Sequence, residues 1–172
     1  LAHAEAATQT VDLLHRTGAQ VGVSSEVENP TDMPDALVDG DPSKAWQSRT
    51  GDLKGAWIAF RVAPDAHIAR IGIVPGAAKK TELLDLFTAN QRVTKVSLAE
   101  YQSGKVIGDF ALDPLKPELQ YIPVDLPGGA YKLTVTGVLP GSKKAWRELP
   151  IGEFTVEGKP GSDAPGPVSV YV

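Results

Sequence analysis

The sequence contains no cysteine. This excludes disulfide bonds, iron–sulfur clusters, thiolate-bound zinc and cysteine nucleophiles. It does not decide the cellular compartment, because many exported bacterial proteins also lack cysteine. No apolar stretch approaches the roughly 18 to 20 residues that a membrane helix requires, so no transmembrane segment is predicted.

Basic residues are also few: 17 lysines and arginines stand against 21 aspartates and glutamates, and the formal net charge is -4. Nucleic-acid binders usually carry a clear basic excess, so no nucleic-acid partner is predicted. The sequence has no phosphate-binding glycine motif and no G-x-S-x-G nucleophile turn. The histidines at 3, 15 and 67 do not have the spacing of metal ligands. No cofactor-dependent or hydrolytic enzyme class is therefore indicated.

Short alternating segments separated by glycine and proline make up most of the chain, which has 172 residues, 42% of them hydrophobic. Apolar residues recur near every second position, for example in "AWIAFRVA", "HIARIGIVPG", "RVTKVSLAEY" and "AYKLTVTGVL". Turn signals such as "PGG", "LPGS" and "SGK" lie between them. Many short strands with this punctuation predict one all-β sandwich. Trp46 and Trp57, on or beside the first strands, are predicted to lie in its core.

Three regions depart from this strand pattern. Leucines and a phenylalanine at helical spacing predict one short helix near residues 80–89. Residues 1–18 are read as an N-terminal extension containing a short helix that Gly18 ends. Glycine and proline dominate the start of residues 159–172, which are read as a linker whose final "VSVYV" adds an edge strand. The sandwich itself is assigned to residues 19–158.

The segment "ALVDGDPSKAW", residues 36–46, places two aspartates around a glycine. This chemistry favours a tight turn. Two carboxylates together with turn carbonyls also form the hard-oxygen cage that suits calcium.

At this loop the sequence resembles the discoidin family, also called coagulation factor 5/8 type C domains. The resemblance rests on the pattern A-hydrophobic-hydrophobic-D-G-D-x-S-x-x-W, followed eleven residues later by the tryptophan of "GAWIAF". Residues 75–98 are most similar to the NADase-type glycan-binding subfamily. Residues 133–158 resemble the last strands of that subfamily. The positions that match in residues 75–98 are Gly76, Lys79 or Lys80, Leu86, Phe87, Asn90, Arg92 and Lys95.

The resemblance implies a galactose-binding-like jelly roll with an eight-stranded core. It further implies a non-catalytic module that binds a glycan and belongs to an exported or cell-surface bacterial protein. A protein–protein adaptor that uses the sandwich loops or an edge strand is the alternative. Asp39 and Glu153 could in principle form a glycosidase pair, but the resemblance accounts for both as residues that brace a loop.

The resemblance also implies a structural calcium site. Its ligands would be the carbonyls of Ala36, Asp41, Lys44 and Gly152 and the side chains of Asp39 and Glu153. Lys44 stands where the family usually has threonine, and Gly152 stands where it has serine. Three alternatives remain open: bound calcium, the Lys44 ammonium lying between Asp39 and Glu153 in its place, or a surface turn without either.

Candidate ligand contacts centre on Trp146, in the polar loop "GSKKAWRELP". Its ring could stack on a sugar while Lys143, Lys144 and Arg147 donate hydrogen bonds, or it could fold back on the sandwich edge. Lys80, Asn90 and Arg92 are added through the resemblance. The alternatives are that Asn90 ends the helix in a left-handed conformation and that Arg92 pairs with Asp85 or Glu82. The lysine pairs 79–80 and 143–144 either suit an acidic glycan or serve solubility.

Overall fold

Strands dominate the structure, a computed structural model that describes residues 10–172. The strands are β1 (Val11–Asp12), β2 (Gln20–Val23), β3 (Trp46–Gln47), β4 (Trp57–Ile73), β5 (Arg92–Glu100), β6 (Val106–Ala111), β7 (Gln120–Leu139), β8 (Pro150–Ile151), β9 (Phe154–Lys159) and β10 (Ser169–Tyr171). One four-residue helix, α1 (Leu86–Ala89), and 3-10 turns at Leu13–His15 and Pro34–Leu37 complete the described elements. The predicted all-β class is confirmed.

Two long strands, β4 and β7, take part in both layers of the sandwich. Residues 57–62 of β4 pair with β2 and with the second half of β7. Residues 67–73 of β4 pair with β9 and with the first half of β7. One layer therefore holds β10, β2, β5 and β6, and the other holds β1 and β9. Eight strands belong to this bent sheet, as the predicted jelly roll requires, and β3 pairs with β8 in a separate small sheet.

The "PGG" sequence at 127–129, predicted as a turn between strands, lies inside β7 instead. A Cβ on Gly128 would lie 1.8 Å from the carbonyl oxygen of Ala63, and Gly129 has φ 136°. The register of β4 against β7 shifts opposite this point, between Val62 and His67. The two glycines thus allow a close backbone approach and a bend, so that one strand passes from layer to layer.

The core lies between the two layers. The Phe60 ring is 5.6 Å from that of Tyr131 and 5.8 Å from that of Phe154, so the cluster joins both layers. Trp46 is fully buried, as predicted, and its Nε1 donates a hydrogen bond to the carbonyl oxygen of Ser25 at 2.9 Å.

The predicted core position of Trp57 is wrong. Ile58, Phe60 and Val62 are the buried residues of its strand, and successive side chains of a strand point to opposite faces. Trp57 is therefore half-buried on the outer face. The Lys132 Nζ lies 5.5 Å from the centre of its ring.

The helix predicted near 80–89 is present only as α1. Its first turn is capped by Asp85, whose side chain accepts a hydrogen bond from the Phe87 backbone N–H at 3.0 Å. Thr81 instead closes a separate turn with Leu84, and this turn leaves Leu83 96% exposed. Leu83 therefore does not join the apolar face that its spacing predicted. No helix among the described residues is long and apolar enough to span a bilayer.

The two end segments lie against each other and against the sandwich. β1 pairs with β9, and the two leucines of the 3-10 turn that follows are buried in the core. The described part of the predicted N-terminal helix is thus a strand and a 3-10 turn, and its remainder lies outside the described residues. The tail strand β10 runs parallel to β2, and the Thr17 N–H donates to the Ala164 carbonyl at 2.9 Å. The proposed domain boundaries after residues 18 and 158 stay predictions.

Candidate functional site

A cavity of about 490 Å³ opens between the loops that precede β3, follow β4 and follow β7. It brings together side chains from distant parts of the chain. Its aromatic, amide and charged lining residues are Asn29, Asp32, Lys44, Gln47, Lys79, Asn90, Trp146 and Glu148. One indole surrounded by hydrogen-bond donors and acceptors on several loops is an arrangement suited to a small polar ring ligand.

The loop that carries Trp146 is fixed to the end of α1 by backbone contacts. The N–H groups of Ser142 and Lys143 donate to the carbonyls of Thr88 and Ala89, at 3.0 and 3.1 Å. The Gln91 Nε2 donates to the Trp146 carbonyl at 3.3 Å. The half-buried indole is therefore held in the cavity wall by its own backbone.

Gly141 permits this close docking. A Cβ at this position would lie 2.1 Å from the Ala89 carbonyl oxygen, which is closer than any side chain tolerates. The glycine of "LPGS" is thus explained by the packing of the loop on α1 rather than by a tight turn alone.

Carboxylates and ammonium groups face the same cavity. Burial raises the pKa of Asp32, and hydrogen bonds from Gln47 and Thr31 oppose that rise. The Asn29 Nδ2 also donates to Asp32 Oδ2 at 2.7 Å. Lys44 and Lys79 also line the cavity, so the lining offers charged donors and acceptors of both signs to ligand hydroxyls.

Asn90 and Arg92 occupy different environments, although the sequence grouped them. Asn90 lines the cavity, and its Nδ2 donates to the Leu86 carbonyl at 2.9 Å. Its φ of -93° is extended, so the left-handed alternative is wrong. Arg92 is 6% exposed and does not line the cavity. It lies over the Phe87 ring and donates to the Pro114 carbonyl, and no ion pair among the described residues joins it to a carboxylate.

The remaining predicted ligand contacts lie outside the cavity lining. Lys80, Lys143, Lys144 and Arg147 are exposed, and the lysine that lines the cavity after β4 is Lys79. Asn29, Asp32 and Gln47 were missed. The one sequence signal for the loop before β3 is the polar composition of "NPTD". Many connecting loops share such a composition, so it does not identify a binding site.

The aspartate–glycine–aspartate turn forms as its residue types require. Gly40 has φ 71°, the left-handed region, and the Asp41 N–H donates to Asp39 Oδ1 at 2.9 Å. Asp41 Oδ1 accepts hydrogen bonds from the Ser43 hydroxyl and N–H, at 2.6 and 2.9 Å. These bonds lower the pKa of Asp41. The Asp41 side chain is thus engaged within the turn, which directs the loop toward the cavity at Ser43 and Lys44.

We expect Gly40→Ala to destabilise the protein by about 1 kcal/mol, because alanine in the left-handed region is strained by about that amount. Thermal unfolding of the variant would show this. Gly18→Ala is the matched control, since Gly18 is exposed and an added Cβ would be 3.8 Å from its nearest neighbour. Equal melting temperatures for the two variants would contradict the strain argument.

Glu153 reaches the same region from the far end of the sequence. The Gly152 N–H donates to the Val74 carbonyl at 3.2 Å, and the Val74 N–H donates to the Glu153 carbonyl at 3.0 Å. A Cβ on Gly152 would lie 2.9 Å from the Gly76 carbonyl oxygen. This tight approach is the physical reason for glycine where the resemblance expects serine.

The Glu153 carboxyl is poorly satisfied. Its Oε1 is buried and accepts no hydrogen bond from the described residues. Burial, then the neighbouring Asp39 carboxylate and a hydrogen bond between the two side chains, raises the pKa of Glu153 to about 8. Asp12 and Asp41 add smaller contributions in the same direction. This cluster of carboxyl groups requires either a proton or a cation.

The implied calcium donor set is only partly free, since the Asp41 carbonyl accepts a hydrogen bond from the Lys44 N–H at 3.2 Å. The carbonyls of Lys44 and Gly152 accept no hydrogen bond from the described part of the chain, and the Asp39 and Glu153 carboxyls lie together. Within residues 10–172 no group of three or more histidines and acidic side chains could hold a metal, so backbone carbonyls would have to supply the other ligands.

The ammonium alternative is not what the structure shows. The Lys44 side chain is exposed and lines the cavity. None of the ion pairs among the described residues joins it to Asp39 or Glu153. Lys44 is also absent from the charges that shift the pKa of Glu153.

The fold is similar to solved carbohydrate-binding and F5/8 type C domains. The family 32 carbohydrate-binding module of C. perfringens NanJ, solved with galactose, has a TM-score of 0.62 and 12% identity, covering 87% of this chain and 99% of that chain. An F5/8 type C domain from Bacteroides fragilis has a TM-score of 0.60 and 10% identity, covering 90% and 98%. A Ruminococcus gnavus GH29 fucosidase, solved with fucose, has a TM-score of 0.63 and 16% identity, covering 88% of this chain and 27% of that one.

These likenesses establish the fold: a discoidin-like, galactose-binding-like jelly roll. At 10 to 16% identity they do not by themselves assign a ligand to this chain. No family model matches the sequence, and no curated protein matches it.

Proposed function

We propose that this chain is a non-catalytic carbohydrate-binding module and that the sugar binds in the loop cavity. The observation that carries the proposal is the junction in one cavity of Trp146 with amide, carboxylate and ammonium side chains. The jelly-roll neighbours support it, since several carbohydrate-binding modules among them were solved with sugars bound. The indole would supply a face for stacking on a sugar ring, and the polar groups would select its hydroxyls.

The placement of the acidic side chains supports the proposed non-catalytic role. Retaining glycosidases place two carboxyl groups about 5 Å apart and inverting ones further apart, which leaves room for the reacting groups. Asp39 and Glu153 do not line the loop cavity, and the Glu153 Oε1 is buried without a hydrogen-bond partner among the described residues. The pair suits a loop brace better than a catalytic pair.

We further propose that Asp39, Glu153 and the carbonyls of Ala36, Asp41, Lys44 and Gly152 hold a structural calcium ion. Bound calcium would neutralise the two carboxylates and join the loop before β3 to the strand β9. The same loop contributes Ser43 and Lys44 to the cavity. Its rigidity would therefore determine how precisely those side chains meet the sugar.

The finer assignments belong to the same proposal. Membership of the NADase-type glycan-binding subfamily rests on the sequence resemblance in residues 75–98. An exported or surface-associated bacterial parent protein is the setting that this resemblance implies. Purification from the native organism, with fractionation of envelope and medium, would check that setting.

A glycan array probed with the full chain tests the function directly. We expect binding to a restricted set of neutral or acidic glycans, with weak affinity per site because the cavity is open. The array should be run with calcium and again with chelator. Absence of any glycan signal in both conditions, while a protein partner co-purifies, would favour the adaptor role over the sugar.

The tail strand β10 offers an edge at which the alternative function, a protein–protein adaptor, could be tested. β10 pairs only with β2 among the described strands, so its outer edge offers unpaired backbone groups to a partner strand. A partner that binds by strand addition would be lost when Val170 is replaced by proline, because proline removes a backbone donor. Sugar binding in the loop cavity would survive that change.

A further inference from the structure

Charged side chains of both signs line the loop cavity, but they differ in whether the protein itself satisfies them. Asp32 Oδ2 accepts a hydrogen bond from Asn29 Nδ2 at 2.7 Å, and Glu148 Oε2 accepts one from the Thr50 hydroxyl. The two positive groups of the lining belong to lysines, and no ion pair among the described residues includes a lysine. The counter-charge that the cavity lacks is therefore negative, and a ligand can supply it.

The two lysines, Lys44 and Lys79, come from different loops and lie at the same end of the cavity. Hydrogen bonds from Ser43 lower the pKa of Asp41, and the charges of both lysines add to this effect. No lysine contributes to the shifted pKa of Asp32. Both ammonium groups therefore lie nearer to Asp41 than to Asp32. The Asp41 carboxylate is engaged by Ser43 and forms no ion pair with either lysine.

Two backbone donors belong to the same part of the lining. Ala77 and Ala78 line the cavity directly before Lys79, and their N–H groups donate no hydrogen bond to a described residue. Ala77 is also only 7% exposed. Because buried backbone N–H groups are nearly always paired, acceptor oxygens of a ligand would complete this end of the cavity.

We propose that the glycan bound in the loop cavity carries a phosphate ester, held between Lys44 and Lys79. This inference rests on the function proposed above and names the chemistry of its ligand. A phosphate monoester carries about -1.5 to -2 charges at neutral pH and three acceptor oxygens, which complement two ammonium groups and two N–H donors. Lysine binds such a group as a point charge, whereas a carboxylate suits the planar fork of arginine. The sugar ring would lie beside Trp146.

The test is a nuclear magnetic resonance titration of the full chain with methyl phosphate, methyl sulfate and acetate, at low salt and without calcium. Methyl sulfate has the same tetrahedral shape as methyl phosphate but only a single negative charge. We expect methyl phosphate to shift the amide signals of Ser43, Lys44, Ala77 and Ala78. Methyl sulfate and acetate should shift them weakly or not at all.

Two neighbouring lysines provide a matched pair of variants. Lys79→Ala should weaken methyl phosphate binding about tenfold, as loss of a charge-assisted hydrogen bond does. Lys80→Ala removes the same charge from an exposed position outside the cavity lining, so its affinity should stay within about twofold of the original protein. Both lysines are exposed, so neither variant should disturb the fold.

The phosphate site is overturned if methyl sulfate or acetate shifts the cavity signals as strongly as methyl phosphate, or if Lys80→Ala weakens binding as much as Lys79→Ala. It is also overturned, while the sugar function stands, if a neutral glycan binds through Trp146 and methyl phosphate shifts no cavity signal. The reverse result separates the two proposals in the other direction. A methyl phosphate response in a protein that binds no glycan, phosphorylated glycans included, keeps the anion site and overturns the sugar function.

Discussion

Replacing Trp146 with alanine is expected to weaken sugar binding about thirtyfold. A tryptophan that forms one wall of a binding site commonly contributes about 2 kcal/mol, which corresponds to that factor. The loop backbone is held by Thr88, Ala89 and Gln91 rather than by the indole, so the fold should persist. Calorimetry with a glycan identified on the array would measure the change in affinity.

Lys143→Ala is the matched control for this prediction. Lys143 belongs to the same loop and was an equal candidate from the sequence, but its exposed side chain does not line the cavity. We expect its affinity to stay within about twofold of the original protein, since exposed side chains outside a site contribute little. If Lys143→Ala loses binding and Trp146→Ala does not, the loop cavity is not the sugar site.

The strands could be predicted because their pattern is local. Alternation of Ile58, Phe60 and Val62 sets which face of β4 is buried, and the structure follows it. The same alternation places Trp57 outside. Its size suggested a core position, but the strand's period of two determines orientation, and applying it strictly would have corrected the prediction.

Features that depend on contacts across the chain could not be predicted. Gly128 lies where it does because the Ala63 carbonyl of another strand occupies the space of a side chain. Nothing local distinguishes that glycine from one in a hairpin turn, so β7 was divided into two strands. Leu83 fits a helical spacing, yet the cap at Asp85 begins the helix after it.

The candidate site shows the same division. The turn around Gly40 and the pairing of Asp39 with Glu153 follow from residue type and from the family resemblance. The cavity itself joins loops more than 100 positions apart, from Asn29 to Glu148. The local turn of the loop after β4 decides which of its two lysines lines the cavity. The side chain of Lys79 lines it, whereas the sequence analysis chose Lys80.

Lys44 connects the two halves of the site. Its carbonyl accepts no hydrogen bond from the described residues, while its side chain lines the loop cavity. A threonine in this position would offer a hydroxyl to the metal and nothing as long or as charged to the cavity. If the proposed calcium and sugar sites are correct, lysine in this position places its side chain in the cavity rather than at the metal, which suits a ligand with an acidic or strongly polar group.

Metal-free protein is expected to lose stability as the pH rises from about 5 to about 8. The pKa of Glu153 is about 8 in the folded protein, against an ordinary value of 4.5. Between these values the folded state holds a proton that the unfolded state has released, so each increase in pH favours unfolding. Below pH 4.5 the shifted pKa of Glu153 costs no folding stability, and above about pH 8 the loss of stability is complete. Melting temperatures in chelator across this range would show the decline.

Glu153→Gln isolates this group from Asp12 and Asp32, whose raised pKa values act in the same direction, and from Asp41, whose lowered pKa acts against it. The variant should show a flatter pH profile, and Glu118→Gln, at an exposed position, should match the original protein.

Calcium should raise the melting temperature of the original protein more at pH 8 than at pH 6, because binding must displace the Glu153 proton. Glu153→Gln should lose most of that increase, since it removes a charged ligand. No increase at pH 8 in the original protein would disprove the calcium site. A calcium response that persists in Glu153→Gln would place the ion elsewhere and leave the Asp39–Glu153 contact held by its shared proton alone.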